Sequence, residues 1–130
     1  MIPMALDDFI TQLRELGYDP AVGPKNFVSF NYEILIGPLR GKQIGLGFQD
    51  PSQFPLNPPG GPCVSPRLLP LRGGSAPPLE GVHAIDPAVD PSGEWEYWSR
   101  PFHGWDKTSR RVTDYLAHVN TLFDRLPDDV

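Results

Sequence analysis

Residues 33–59 read EILIGPLRGKQIGLGFQDPSQFPLNPP, and this stretch decides the fold. Ile44, Leu46 and Phe48 alternate with Gly45 and Gly47. A period of two places three apolar side chains on one face of a strand, here Gln43–Gln49. The apolar run Ile34–Ile36 precedes it across Gly37, Pro38 and Gly41, a short Gly/Pro connection of the kind that joins antiparallel neighbours. After the second strand come Pro55, Pro58 and Pro59. Proline has no backbone N–H to give to a ladder, so the chain is expected to leave the sheet there as a rigid, extended crossing.

The strand before the turn reaches back to Phe27. Within Phe27–Ile36, residues Val28, Phe30, Tyr32, Ile34 and Ile36 share one parity and are all apolar or aromatic, so that face is expected inward. Further back, Leu6, Phe9, Ile10, Leu13 and Leu16 repeat at helical spacing and predict an amphipathic helix over Ala5–Leu16. Asp7 and Asp8 suit its first turn, and Gly17 suits its C-cap. In the other direction, Pro62–Ser65 reads as a very short strand or an edge strand, because prolines bracket it. Residues 67–93 are a long Pro/Gly-rich loop with a brief strand or turn near Gly81–Ile85. Five aromatics then fall between Trp95 and Trp105, too many to leave solvated, and are expected to pack over the sheet or line a pocket. A last helix is predicted from Asp106 or Thr108 to about Arg125. Its buried stripe is Val112, Tyr115, Leu116, Val119, Leu122, Phe123 and Leu126.

The predicted class is α+β in one domain, 1–130: an N-terminal helix, an antiparallel meander of three to four strands, the long loop and a C-terminal helix. The 130 residues carry a net charge of −5 and contain 17 prolines and 13 glycines. No basic run is present, which argues against nucleic acid and anionic membranes as partners. The N-terminus lacks a basic region followed by an apolar one, and no apolar run approaches the ~20 residues that span a bilayer, so a cytoplasmic protein is expected. The single cysteine, Cys63, excludes an internal disulfide and a zinc site built from several thiolates.

Ile36-Gly37-Pro38, the strand Gln43–Gln49 and the turn Phe54-Pro55-Leu56-Asn57-Pro58-Pro59 together resemble the middle of the ubiquitin-conjugating fold. That family has a Gly-Pro, a strand and a Tyr-Pro-x-x-Pro-Pro turn; Phe54 stands for the Tyr. The later run, Trp95 to Arg100 followed by Trp105 and a long helix, is similar to bacterial conjugating-enzyme-like families of ubiquitin-like operons. The resemblance spans Ala5 to Leu126. It implies binding or carrying a ubiquitin-like protein or its activating enzyme, and, in an active member, acyl transfer through a cysteine thioester. No cofactor is expected. The family's cysteine falls near Val82–Trp98, where this chain has none.

The residues leave several chemistries open. Cys63 is the only thiol, so it is the candidate thioester carrier if transfer occurs; otherwise it is a small buried side chain, as free cysteines commonly are. His83 is the second catalytic candidate, since it lies near the family's His motif. Ser92 is nearby, but no base is identifiable for it. His83, Asp86 and His103 form an alternative trio for a metal-dependent hydrolase or metal-binding protein, although no standard metal motif is present. Trp95, Trp98, Arg100, His103 and Trp105 are candidates for a recognition surface, because Trp and Arg dominate interface hot spots. The competing reading has the tryptophans covering the core. His118 reads as a flank residue of the last helix. A third possibility is a non-catalytic interaction module that keeps the fold and lacks the chemistry.

Overall fold

The computed structural model describes residues 4–68, 82–100 and 102–125. Helix α1 (Met4–Glu15) is followed by strands β1 (Ala21–Val22), β2 (Val28–Glu33), β3 (Gln43–Phe48), β4 (Cys63–Ser65), β5 (Val82–His83) and β6 (Glu96–Trp98), then helix α2 (Val112–Asp124). The strands form one six-stranded sheet in the order β1-β2-β3-β4-β6-β5, and every neighbouring pair is antiparallel. The class is α+β, as expected. Among the described residues no helix is long and apolar enough to cross a membrane. Gly81 and Leu126, which the sequence placed at a strand and in the last helical stripe, lie outside the described residues.

The ladder between β2 and β3 is the longest, running from Val28↔Phe48 to Glu33↔Gln43. Its inward parity is the predicted one: Val28, Phe30, Tyr32 and Ile34 are buried. Ile36 is not, at 44% exposed. Ile34 makes the last ladder-like bond, its N–H donating to Lys42 O at 3.0 Å, and the chain then turns away. Gly37 has φ +94, and a Cβ there would lie 2.3 Å from the Phe123 carbonyl oxygen. Only glycine lets this turn pass so close to the end of α2.

Four expectations need correction. The meander of three to four strands holds for β1–β4 only. The chain then runs to the far edge as β5, and β6 inserts between β5 and β4. The aromatic segment conceals this strand because Glu96 breaks its apolar pattern. Glu96 is 1% exposed; its carboxylate accepts the Leu68 N–H at 3.0 and 3.2 Å and the Trp98 indole N–H at 3.2 Å, which offsets the cost of burying it. For the same reason β4, which at 3 residues is the very short strand that the prolines suggested, is interior rather than an edge. Pro62 lies just outside it, and its carbonyl still accepts the Trp98 N–H at 2.9 Å.

The Pro-rich segment is compact, not extended. Phe54 N–H donates to Pro51 O at 3.1 Å and Asn57 N–H to Gln53 O at 2.9 Å. These turns bury Phe54, a change of environment typically favourable by about 1.5–3 kcal/mol for such a side chain. Finally, α2 begins at Val112 rather than Asp106 or Thr108. A 3-10 turn occupies Trp105–Lys107, and Arg110 at φ 59 interrupts the helical path. Asp114 takes the Arg111 N–H at 2.9 Å. Gln12, from α1, accepts the Val112 N–H at 2.8 Å, so a buried amide joins the two helices.

One face of the sheet is covered by both helices, and part of the other by a smaller cluster. The main core sets Leu6, Phe9 and Leu13 of α1 and Tyr115, Val119 and Phe123 of α2 against Phe30, Leu46, Val64 and Trp98. On the opposite face Phe27, Cys63 and Ile85 are buried beneath Val89, Trp95 and Tyr97. The glycines of β3 make room for this second cluster. A Cβ on Gly47 would lie 2.4 Å from the Phe27 ring and 3.0 Å from the Trp95 ring, and one on Gly45 would lie 3.0 Å from Trp95. Gly47→Val is therefore expected to destabilise the protein by about 1–3 kcal/mol, read as a lower urea midpoint. An unchanged midpoint would contradict the packing described.

Candidate functional site

The Phe54–Gly60 turn is held from several sides by aromatic side chains. The Phe54 ring meets Phe9 edge-on at 5.2 Å between centroids and Trp105 at 6.0 Å. The Trp105 indole N–H donates to Pro55 O at 2.8 Å, and the Tyr115 hydroxyl donates to the Gly60 carbonyl. Phe102 packs on Trp105, Tyr115 and His118, at centroid distances of 5.6, 6.2 and 4.9 Å. His118 Nε2 lies 2.9 Å from the Arg100 carbonyl oxygen. A carbonyl only accepts, so Nε2 carries the proton in this bond. Arg100 and residues 102–105 are thereby clamped to α2 and brace the turn.

Leu56 projects from this bracket with 68% of its surface exposed, and Pro55, Asn57 and His103 are also exposed. An exposed leucine on a turn held by buried partners loses little conformational freedom when it is bound. The bracket presents a surface; it assembles no nucleophile with a base.

Cys63 lies on β4 with no exposed surface. Its Sγ is 3.8 Å from the Gln49 amide nitrogen. Burial pushes the thiol up to about 12, the Gln49 bond opposing this and the Asp90 charge adding to it. At neutral pH the group is a protonated thiol, whereas the thiolate is the nucleophile. His83 is exposed on the edge strand β5, its ring stacked on Tyr97 at 6.3 Å. Cys63 and Tyr97 are register partners across β4 and β6, as are His83 and Tyr97 across β5 and β6, so a tyrosine-bearing strand separates the two catalytic candidates.

The metal trio does not assemble. Among the described residues no three His, Cys, Asp or Glu side chains form a group able to hold a metal ion. Asp86 instead pairs with Lys25 at 2.5 Å, which holds its carboxyl below the usual range. Nor do the recognition candidates form one surface. Trp98 is in the main core with no exposed surface and Trp105 is 4% exposed, while Trp95 lies on the opposite face of the sheet against Phe27. Arg100 is half-buried, its Nη1 donating to Ser99 O at 3.1 Å. Of the five, Arg100, His103 and Trp105 belong to the bracket.

Sequence reasoning missed Tyr115 and His118 as bracket residues. Their i, i+3 spacing puts both on one helix face, a signal that was present but was read as core and flank. No family model matches this chain, and no curated protein or solved structure matches it.

Burial holds His118 below its ordinary pKa, the bond to Arg100 opposing this. The unfolded chain therefore takes up the proton first as pH falls. The contribution of His118 to stability is complete above an unfolded value of about 6.5 and declines as pH drops through and below it. In His118→Gln the stability loss between about pH 7.5 and about pH 5 should be shallower than in the parent protein, as followed by urea midpoints. Equal slopes would contradict this environment for His118.

Proposed function

We propose that this chain is an interaction module resembling a ubiquitin-conjugating enzyme, acting in a bacterial, cytoplasmic ubiquitin-like modification pathway. It engages a ubiquitin-like protein or its activating enzyme through the Phe54–Pro59 turn. The observation that carries this reading is Leu56, held out to solvent by a turn whose neighbours on both sides are fixed. The order of an N-terminal helix, sequential antiparallel strands, a Phe-Pro-x-x-Pro-Pro turn and a later helix supports the same resemblance. The burial of Cys63 weighs against thioester transfer in the resting form and favours the non-catalytic member of the class.

Leu56→Asp should weaken binding of the cognate ubiquitin-like protein or activating enzyme by tenfold or more. The urea midpoint should not change, since the residue contributes little to the core. Cys63→Ser should leave that binding unaltered. Retained affinity in Leu56→Asp would overturn the assignment of the turn as the binding surface.

A further inference from the structure

The small cluster on the second face of the sheet leaves a cleft beside it. Its volume is about 230 Å³, and Asp19, Ser29, Asn31, Gly45 and Trp95 line it. The sequence builds it from strand parity. Ser29 and Asn31 have the opposite parity to the buried Val28, Phe30 and Tyr32, so they rise on the second face. Gly45 is the register partner of Asn31 on β3 and adds no side chain, which leaves the floor low. Trp95 is the wall. The outer edge of its six-membered ring is the part nearest Gly45 and Gly47, and Phe27 meets the indole edge-on at 5.0 Å. Asp90, 6% exposed, accepts the N–H groups of Glu94 and Trp95, each at 3.0 Å. The wall is therefore fixed before any ligand arrives, which lowers the ordering cost of binding.

The polar groups around the cleft are mostly acceptors. The pairing of β1 with β2 stops at Ala21↔Ser29. The Phe27 carbonyl accepts the Gly23 N–H at 2.8 Å, so the alternation of an antiparallel ladder turns the backbone groups of Phe27, Ser29 and Asn31 toward the β1 side. Asn31 has no register partner there, and its carbonyl is left at the rim. Among the described residues the side chains of Asp19, Ser29 and Asn31 have no hydrogen-bond or ion-pair partner. Asp19 is the only charged group lining the cleft. Glu33 follows Asn31 on the same face and accepts from Gln43 at 2.8 Å. The local charge is negative, on a chain whose net charge is −5.

We propose that this cleft binds a guanidinium group, as an arginine side chain or a free alkylguanidine. A carboxylate, an amide oxygen, a hydroxyl and a backbone carbonyl set around an indole form an acceptor array with an aromatic wall. A guanidinium fits that array because its donors spread in one plane while its flat face packs on an aromatic ring. An ammonium is a compact point charge and cannot reach the separated acceptors together. A neutral ligand leaves the Asp19 charge unanswered. The site is independent of the partner bound at Leu56.

The test is an NMR titration of the isotopically labelled full chain with N-acetyl-arginine-N-methylamide, against its neutral citrulline analogue and its lysine analogue. The arginine compound should shift the Trp95 indole N–H and the Asn31 and Gly45 amides in a saturable way. The citrulline compound should not, and the lysine compound should bind more weakly. Asp19→Asn should weaken the arginine compound about three- to fivefold, and Asn31→Ala about twofold or more. Both residues are exposed, so urea midpoints should not move. Asp50→Asn, which removes the same charge outside the cleft, should leave the affinity unchanged. Added salt should weaken binding to the parent more than to Asp19→Asn. Agmatine and a blocked pentapeptide with one central arginine separate the sources: tighter peptide binding assigns a chain-borne arginine, and equal or tighter agmatine binding assigns a free guanidine. Equal shifts from the citrulline compound, unchanged affinity in Asp19→Asn, or no saturable shift at Trp95 and Asn31 would overturn the proposal.

Discussion

The alternation of glycine with Ile44, Leu46 and Phe48 in β3 is the constraint on which the rest of the molecule depends. On one face the large side chains meet α1 and α2. On the other, the missing Cβ atoms of Gly45 and Gly47 admit the rings of Trp95 and Phe27 to within contact of the backbone. A sheet with ordinary residues at these positions would carry a polar or open second face. Here part of that face is packed as well, and Cys63, the register partner of Gly47, is enclosed as a result. The position of the only thiol follows from the packing of its neighbours.

The buried polar groups show the same economy. Gln12 ties the start of α2 to α1, Glu96 gathers an indole and a backbone N–H inside the sheet, and Asp90 closes the loop that carries Trp95. Among the described residues no buried side-chain nitrogen or oxygen lacks a partner. Satisfied polar groups of this kind fix geometry more than they add net stability. They hold the cluster on the second face shut and set α2 where Tyr115 and His118 reach the Pro-rich turn and the segment before it. The aromatic bracket and the enclosed thiol are thus two outcomes of one arrangement.

Much of the framework was legible in the sequence because it rests on local periodicity. The i, i+3, i+4 spacing in α1 and α2 and the alternation in β2 and β3 each report a face that must be buried. What the sequence hid depends on partners distant in the chain. Glu96 looks like a break in an aromatic run until Leu68 and Trp98 supply its hydrogen bonds. Pro62 looks like an edge signal until its carbonyl is seen to pair with Trp98. The tryptophans read as one surface because they are close in sequence, yet neighbours in a strand point to opposite faces, and Trp95 and Trp98 differ in parity. The turn stood out in the sequence, but its shape did not: burial of Phe54 folds it inward and leaves Leu56 outside.

The most direct measurement is the map of backbone amide NMR shifts in the isotopically labelled chain as the proposed partner, a ubiquitin-like protein or activating enzyme, is added. Recognition through the bracketed turn predicts that perturbations concentrate at residues 53–60 and 102–106, with the β5–β6 connection little affected. Perturbations centred on Cys63 and residues 84–95, or none near Leu56, would contradict it.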